Sequence, residues 1–201
     1  MKKMESTLTN MIVVLVGVAL VTGCLLAVVS HITEGPKAAQ KTLALAEGIR
    51  TVMGNSDVTV SKTDTVCMTV NGKQTELIVH RVAGGGAAVE SQTMGFGGDL
   101  RVLVGFADDG TITGYTILQH AETPGLGAKA ATWFQKDGKG NIIGKKAVKP
   151  LAVSKDGGEV DAITASTITS RAFLKAVNQA YAAYMQQSAD AHTGATKIKK
   201  G

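Results

Sequence analysis

Residues Asp99–Phe106 read DLRVLVGF and residues Thr111–Leu118 read TITGYTIL, with Asp108-Asp109-Gly110 inside the short connection. Both runs are rich in the branched and aromatic side chains that suit a pleated surface, so the stretch predicts an antiparallel hairpin. An earlier hairpin is predicted from Val66–Val70 and Thr75–Val82, because Asn71-Gly72 fits the left-handed positions of a tight turn. Glycines 84–86 interrupt the chain between the two. Helical spacing appears on either side. Ala38, Ala39, Leu43, Ala46, Ile49, Val52 and Met53 recur on one face of a segment that opens at Pro36 and meets Gly54. A short helix is predicted over Ala128–Gln135, a last strand over Leu151–Ser154 and a long helix over Thr167–Gln187, with residues 189–201 as a frayed tail. Antiparallel strands with helices towards the two ends of the order make an α+β domain.

Nineteen residues from Met11 to Val29 carry no charge, and no charged residue occurs between Glu5 and Glu34. At about 1.5 Å per helical residue such a run approaches the ~30 Å hydrocarbon core of a bilayer. Lys2 and Lys3 precede it, which by the positive-inside tendency places the N-terminus in the cytoplasm. A cleaved signal peptide has a shorter apolar region of ~7–15 residues. Val21-Thr22-Gly23-Cys24 matches a lipoprotein processing site, but cleavage there leaves apolar Leu25–Val29 as the start of the mature chain. The expected organisation is therefore an N-terminal segment with a single transmembrane anchor over 1–33, an extracytoplasmic domain over 34–188 and a flexible tail over 189–201.

Composition narrows the chemistry. The 201 residues are 44% hydrophobic and 18% charged, which excludes a disordered or collagenous chain. A net charge of +5 suits acidic lipid or an anionic cofactor and is too diffuse to indicate nucleic acid. Cys24 and Cys67 make no disulfide framework, and the scattered His31, His80, His120 and His192 without a Cys-x-x-Cys exclude common zinc patterns. Lysines 136, 139, 145, 146 and 149 read as a solvated face.

Two stretches stand out. In His120-Ala-Glu-Thr-Pro-Gly-Leu-Gly127, the residues Gly125, Gly127 and Ala130 satisfy a dinucleotide-binding spacing. The preceding strand belongs to an antiparallel hairpin and no acidic residue closes a second strand ~20 residues on, so a Rossmann site is not indicated. In Asp161-Ala-Ile-Thr-Ala-Ser-Thr-Ile-Thr-Ser-Arg171, hydroxyls cluster just before an apolar helix. That is the composition of a helix N-terminus, where hydroxyls cap free amides and where the helix dipole also favours a phosphate. Nucleophilic hydrolysis lacks a Gly-x-Ser-x-Gly and a nearby histidine.

Together these stretches resemble the FMN-binding domain shared by the G subunit of bacterial Rnf electron-transport complexes and the C subunit of sodium-pumping NADH:quinone reductases. Glu122–Gly127 matches that family's Glu-Thr-Pro-Gly-Leu-Gly loop, and Asp161, Thr164, Ser166 and Thr167 match its Asp-x-x-Ser/Thr-Gly-Ala/Ser-Thr motif. The likeness spans roughly residues 90–185 and includes Gly97-Gly98-Asp99-Leu100. The resemblance implies FMN joined to Thr167 through a phosphoester by a separate flavin transferase, with Asp161 helping that enzyme recognise the motif or coordinate its metal. It further implies that Thr164 and Ser166 hold the phosphate, and that Glu122, Thr123, Gly125, Leu126 and Gly127 line the ring or ribityl chain. No catalytic or metal-ligating residue is implied. The function expected is electron relay within an ion-translocating ferredoxin:NAD oxidoreductase, anchored in the bacterial inner membrane beside iron–sulfur, flavin and membrane subunits. Alternatives are a part of a sodium-pumping NADH:quinone reductase, a free-standing FMN reductase, and a non-redox anchored binding lipoprotein. Ala165 stands where the family usually has glycine, and its methyl fits provided the backbone there does not need a positive φ.

Overall fold

A computed structural model describes residues 8–55, 57–70 and 73–193. Five antiparallel strands form one sheet in simple sequential order: β1 (Val60–Val70), β2 (Lys73–Val82), β3 (Ala87–Met94), β4 (Asp99–Phe106) and β5 (Ile112–Gln119). Both predicted hairpins are present, although the Asn71-Gly72 turn lies outside the described residues. Strands β1 and β2 pair from Val60↔Val82 to Val70↔Lys73, so that hairpin is longer than its apolar pattern indicates. Strand β3 has no counterpart in the sequence reading. Its residues Ala87–Ser91 are all buried, so the alternation that marks a half-exposed strand is missing.

The reason lies in what covers each face. On one face Val89, Val102, Val104 and Tyr115 join a core with Phe173, Ala176, Val177 and Ala180 of the long helix α3 (Thr167–Thr193). On the other, Ala88 and Leu103 pack with Ile49 and Val52 from the last turns of helix α1 (Leu8–Met53). Thr113 also donates to the Val52 carbonyl at 2.6 Å. Beyond that patch a polar row crosses four strands. Thr63 Oγ1 lies 3.1 Å from His80 Nδ1, His80 Nε2 is 2.9 Å from Glu90 Oε1, and Arg101 donates to Glu90 Oε2 at 2.7 Å. Burial by itself raises the Glu90 carboxyl, but the His80 hydrogen bond and the Arg101 charge outweigh it and hold the group below its ordinary range.

Helix α1 runs through Pro36 without a break, so the separate helix predicted to open there is the continuation of the apolar one. It ends at Gly54, whose φ of +66° is the left-handed conformation of a helix C-terminus. By compactness the chain divides into Met1–Ala44 and Leu45–Gly201. Within the first unit, Leu8–Thr33 has a mean hydropathy of 3.0 and the length to cross a membrane.

Between β5 and α3 the chain is mostly irregular. The predicted Ala128–Gln135 helix is a 3-10 turn (Gly127–Lys129) followed by a single turn, α2 (Ala130–Trp133). Leu151–Ser154 is not a strand: it contributes one isolated parallel bridge, Val153↔Val160, then a 3-10 turn over Ser154–Asp156. The basic stretch exposes Lys136, Lys139, Lys146 and Lys149 yet buries Ile142 and Ala147, so it also closes the core. Helix α3 extends to Thr193, six residues past its predicted end, and 194–201 lie outside the described residues.

An aromatic cluster fixes α3 against this segment. Phe134 and Phe173 stack at 4.3 Å with planes 6° apart, and Tyr115 meets Phe173 edge-on at 4.7 Å. The Tyr115 hydroxyl donates to the Ala130 carbonyl at 2.7 Å and accepts the Phe134 amide at 3.2 Å. Burial pushes the Tyr115 phenol well above its ordinary value, so it remains a neutral donor. Phe134 is fully buried in that core.

Candidate functional site

The two motifs, some forty residues apart in sequence, meet at the N-terminus of α3. They enclose a cavity of about 370 Å³ lined by Phe96, Glu122, Thr123, Leu126, Gly127, Ala165, Ser166, Thr167, Ile168 and Thr169. That size falls within the ~300–1,000 Å³ typical of small-molecule sites. Three segments build the walls: the β3–β4 turn, the loop after β5 and the first turn of α3.

Each wall is shaped by local hydrogen bonding. In the β3–β4 turn the Gly95 amide donates to the Gly98 carbonyl at 2.8 Å, leaving Phe96 at the tip with 68% of its surface exposed. In the second loop the Thr123 carbonyl accepts the amides of Leu126 and Ala128 at 3.2 and 3.3 Å, closing the Pro124-Gly125 turn on itself. At the start of α3, Ser170 Oγ accepts the Ile163 amide at 2.9 Å and donates to the Ser166 carbonyl at 3.0 Å. This folds residues 163–166 back onto the helix.

Glu122 ties the three walls together. It is buried, its Oε1 accepts the Phe96 amide at 2.7 Å, and its Oε2 accepts the Thr169 hydroxyl at 2.7 Å. Glycine on two sides makes room for it. A Cβ on Gly95 would collide with Oε1, and one on Gly127 would collide with Oε2. The glycines of the loop thus serve close packing around a carboxylate.

The hydroxyls have separate duties. Thr169 and Ser170 are consumed by the bonds just given, and Ser166 is buried. Thr167 is the first residue of α3, partly exposed and on the cavity wall, and its hydroxyl has no protein partner among the described residues. The first amides of a helix likewise have no acceptor within it, and they form the positive end of its dipole. Around the same cavity, Phe96, Leu126 and Ile168 expose 68%, 42% and 53% of their surface, an apolar collar beside those polar groups. A flat, amphipathic phosphate ester such as FMN fits that division: hydroxyl and amides for the phosphate, collar for the ring.

Of the residues singled out in the sequence, Glu122, Thr123, Leu126, Gly127, Ser166 and Thr167 line the cavity. Gly125, Thr164 and Asp161 do not. Gly125 is an exposed turn position at φ +75°, and Thr164 is exposed. Asp161 faces the neighbouring loop, where it accepts the Ser154 hydroxyl at 3.0 Å while its carbonyl accepts Trp133 Nε1 at 2.8 Å. His120 accepts the Glu122 amide at its Nδ1, at 3.3 Å, and does not line the cavity. Phe96 and Ile168 have no role in the sequence expectations, and Thr169 figures there only as one of the clustered hydroxyls. An aromatic between glycines is the available signal for Phe96; nothing comparable marks Ile168.

Ala165 departs from the condition set for it. Its φ is +61°, the only positive value at a non-glycine position among the described residues. An L-residue there costs about 1–2 kcal/mol, partly offset in comparison with glycine by glycine's larger unfolded-state entropy, about 0.4–1 kcal/mol. Ala165→Gly is therefore expected to stabilise the protein by about 0.5–1 kcal/mol, seen as a rise in Tm of a few °C by circular dichroism. A lowered Tm would show that the methyl makes a compensating contact.

Residues 95–182 match the FMN-binding domain family model. Over 191 residues the chain is 30% identical to the G subunit of the Na(+)-translocating ferredoxin:NAD(+) oxidoreductase complex of Acetobacterium woodii, covering 85% of this chain and 88% of that one. It is 41% identical over 99 residues to the G subunit of the ion-translocating oxidoreductase complex of Aliivibrio fischeri, about half the length of each. Among solved structures, the C subunit of the Na(+)-translocating NADH-quinone reductase of Parabacteroides distasonis superposes with a TM-score of 0.46 at 22% identity, covering 69% of this chain and 82% of that one.

Proposed function

Because this chain belongs to the G-subunit family of ion-translocating oxidoreductase complexes and contains an FMN-binding domain, we propose that it carries FMN as a phosphoester on Thr167 and relays electrons between other subunits. The observation that carries this reading is the Thr167 hydroxyl: unengaged among the described residues, partly exposed, and at a helix N-terminus on the wall of a cavity that also has an apolar collar.

FMN, once bound, supplies the one- and two-electron chemistry, and the polypeptide supplies placement and electrostatics. Thr167 Oγ would hold the phosphorus, with the amides of the first turn of α3 donating to the phosphate oxygens. Ser166 and Thr123 line the same cavity. Phe96, Leu126 and Ile168 would exclude water from the ring. Among the described residues no group of three or more His, Cys, Asp or Glu side chains could hold a metal ion.

Leu8–Thr33 would hold the chain in the bacterial inner membrane with the flavin domain on the extracytoplasmic side, where a tethered cofactor cannot diffuse away. Neighbouring iron–sulfur, flavin and membrane subunits would give and take the electrons, and a flavin transferase would make the ester. Asp161, exposed and outside the cavity, suits recognition by that transferase better than contact with the cofactor. The test is to express the full chain in bacterial membranes together with a flavin transferase and run it on a denaturing gel. A band fluorescing at the position of the denatured polypeptide is expected; a dark band, with the transferase shown to be active, contradicts the proposal.

A further inference from the structure

Buried carboxylates are ordinarily paired with a cation, because an unpaired charge loses its hydration without compensation. Glu122 is 6% exposed, and no Lys, Arg or His side chain forms an ion pair with it among the described residues. Its two oxygens instead accept one main-chain N–H, from Phe96, and one hydroxyl, from Thr169 in the first turn of α3. With a donor on each oxygen, neither oxygen needs a proton of its own, and this is the arrangement of a carboxylate. The N-terminal end of the helix dipole adds a favourable field.

This places a fixed negative charge in the wall of the cavity, held there by close packing against Gly95 and Gly127. A residue needed only to join the three walls could have been neutral. We infer that Glu122 is a positioning residue that acts electrostatically, opposing the build-up of electron density in the cavity and so keeping the reduction potential of the bound flavin low. The inference rests on the proposed FMN site. Two electrons and one proton delivered to an isoalloxazine ring leave one additional negative charge there. A carboxylate in the same low-dielectric wall disfavours that state, whereas a neutral amide does not. The first role predicted for Glu122, direct contact with ring or ribityl chain, is not needed for this effect.

The experiment uses the full chain, flavin-loaded in membranes and solubilised in detergent, titrated with dithionite against reference dyes while the flavin absorbance is followed. Glu122→Gln keeps the shape of the side chain and an acceptor for the Phe96 amide but removes the charge. It is expected to make reduction at least tenfold easier, an upward shift of about 30 mV for a two-electron couple. Glu122→Asp keeps the charge and shortens the reach. It is expected to stay within threefold of the unsubstituted protein, even if looser walls raise the mobility of the flavin by fluorescence anisotropy. An unchanged potential in Glu122→Gln overturns the inference. So does a tenfold rise in Glu122→Asp, which carries the test alone if the Gln variant does not fold. Flavin-loaded variants with equal potentials refute only the role of Glu122, whereas unsubstituted protein that accepts no covalent flavin refutes the reading on which it rests.

Discussion

Thr167→Ala should abolish flavin fluorescence from the denatured polypeptide while leaving stability within about 0.5 kcal/mol of the parent. The two halves follow from the same geometry. The Thr167 hydroxyl has no protein partner among the described residues, so its loss breaks no bond and leaves no buried group unsatisfied. Two hydroxyls close to it in sequence are already committed. Thr169 Oγ1 is held by Glu122 at 2.7 Å, and Ser170 Oγ is held between the Ile163 amide and the Ser166 carbonyl. Thr164 lies outside the cavity lining. Thr164→Ala and Ser170→Ala, loaded in parallel, should therefore retain the attached flavin, although Ser170→Ala should lower the Tm because it orphans the buried Ile163 amide. Fluorescence persisting in Thr167→Ala would assign the ester to another residue.

The second large effect is on stability. Phe173 is fully buried, stacks on Phe134 at 4.3 Å and meets Tyr115 edge-on at 4.7 Å. It joins three parts of the fold: strand β5, the irregular segment after α2, and helix α3. Phe173→Ala should cost about 3–5 kcal/mol, the range for removing a buried aromatic and leaving a cavity. For a domain of this size that corresponds to a fall in Tm on the order of 10 °C. Thermal unfolding followed by circular dichroism measures it, with the exposed Ile168→Ala expected near the parent value. A loss below about 1 kcal/mol would mean that the site collapses around the vacancy and that the aromatic cluster is not what fixes α3.

How far the sequence reaches into this structure depends on what each segment touches. Strands β4 and β5 were legible from their branched and aromatic side chains on either side of a turn, and helix α3 from its apolar residues at helical spacing. Strand β3 was hidden because helices cover both faces and Glu90 sits in a buried ionic row, so neither alternation nor a purely apolar run survives. Pro36 suggested a helix start because proline suits a first turn, where its missing N–H has no partner to lose. The backbone there instead belongs to one continuous helix, so a local preference gave way to the longer element around it. Leu151–Ser154 is expected as a strand, yet among the described residues its one ladder contact is the bridge from Val153 to Val160.

The site was legible as two motifs and not as a geometry. That Thr123, Leu126, Gly127, Ser166 and Thr167 share one cavity follows from the turn chemistry around them. The role of Glu122 could not be read, because the atoms that claim it, the Phe96 amide and the Thr169 hydroxyl, come from distant segments. Ala165 carried a conditional expectation that only a φ value could decide, and at +61° the condition fails. The strain sits two residues before Thr167, beside the chemistry proposed for the chain, as is common for strained backbone.

Mass mapping of the peptide spanning Asp161–Arg171, isolated from membranes of the organism that naturally makes the chain, bears most directly on all of this. A covalent carrier requires that peptide to bear FMN less one water, with fragment ions placing the addition on Thr167. The same peptide recovered wholly unmodified, or carrying its flavin on another side chain, would leave the helix N-terminus with nothing but its caps.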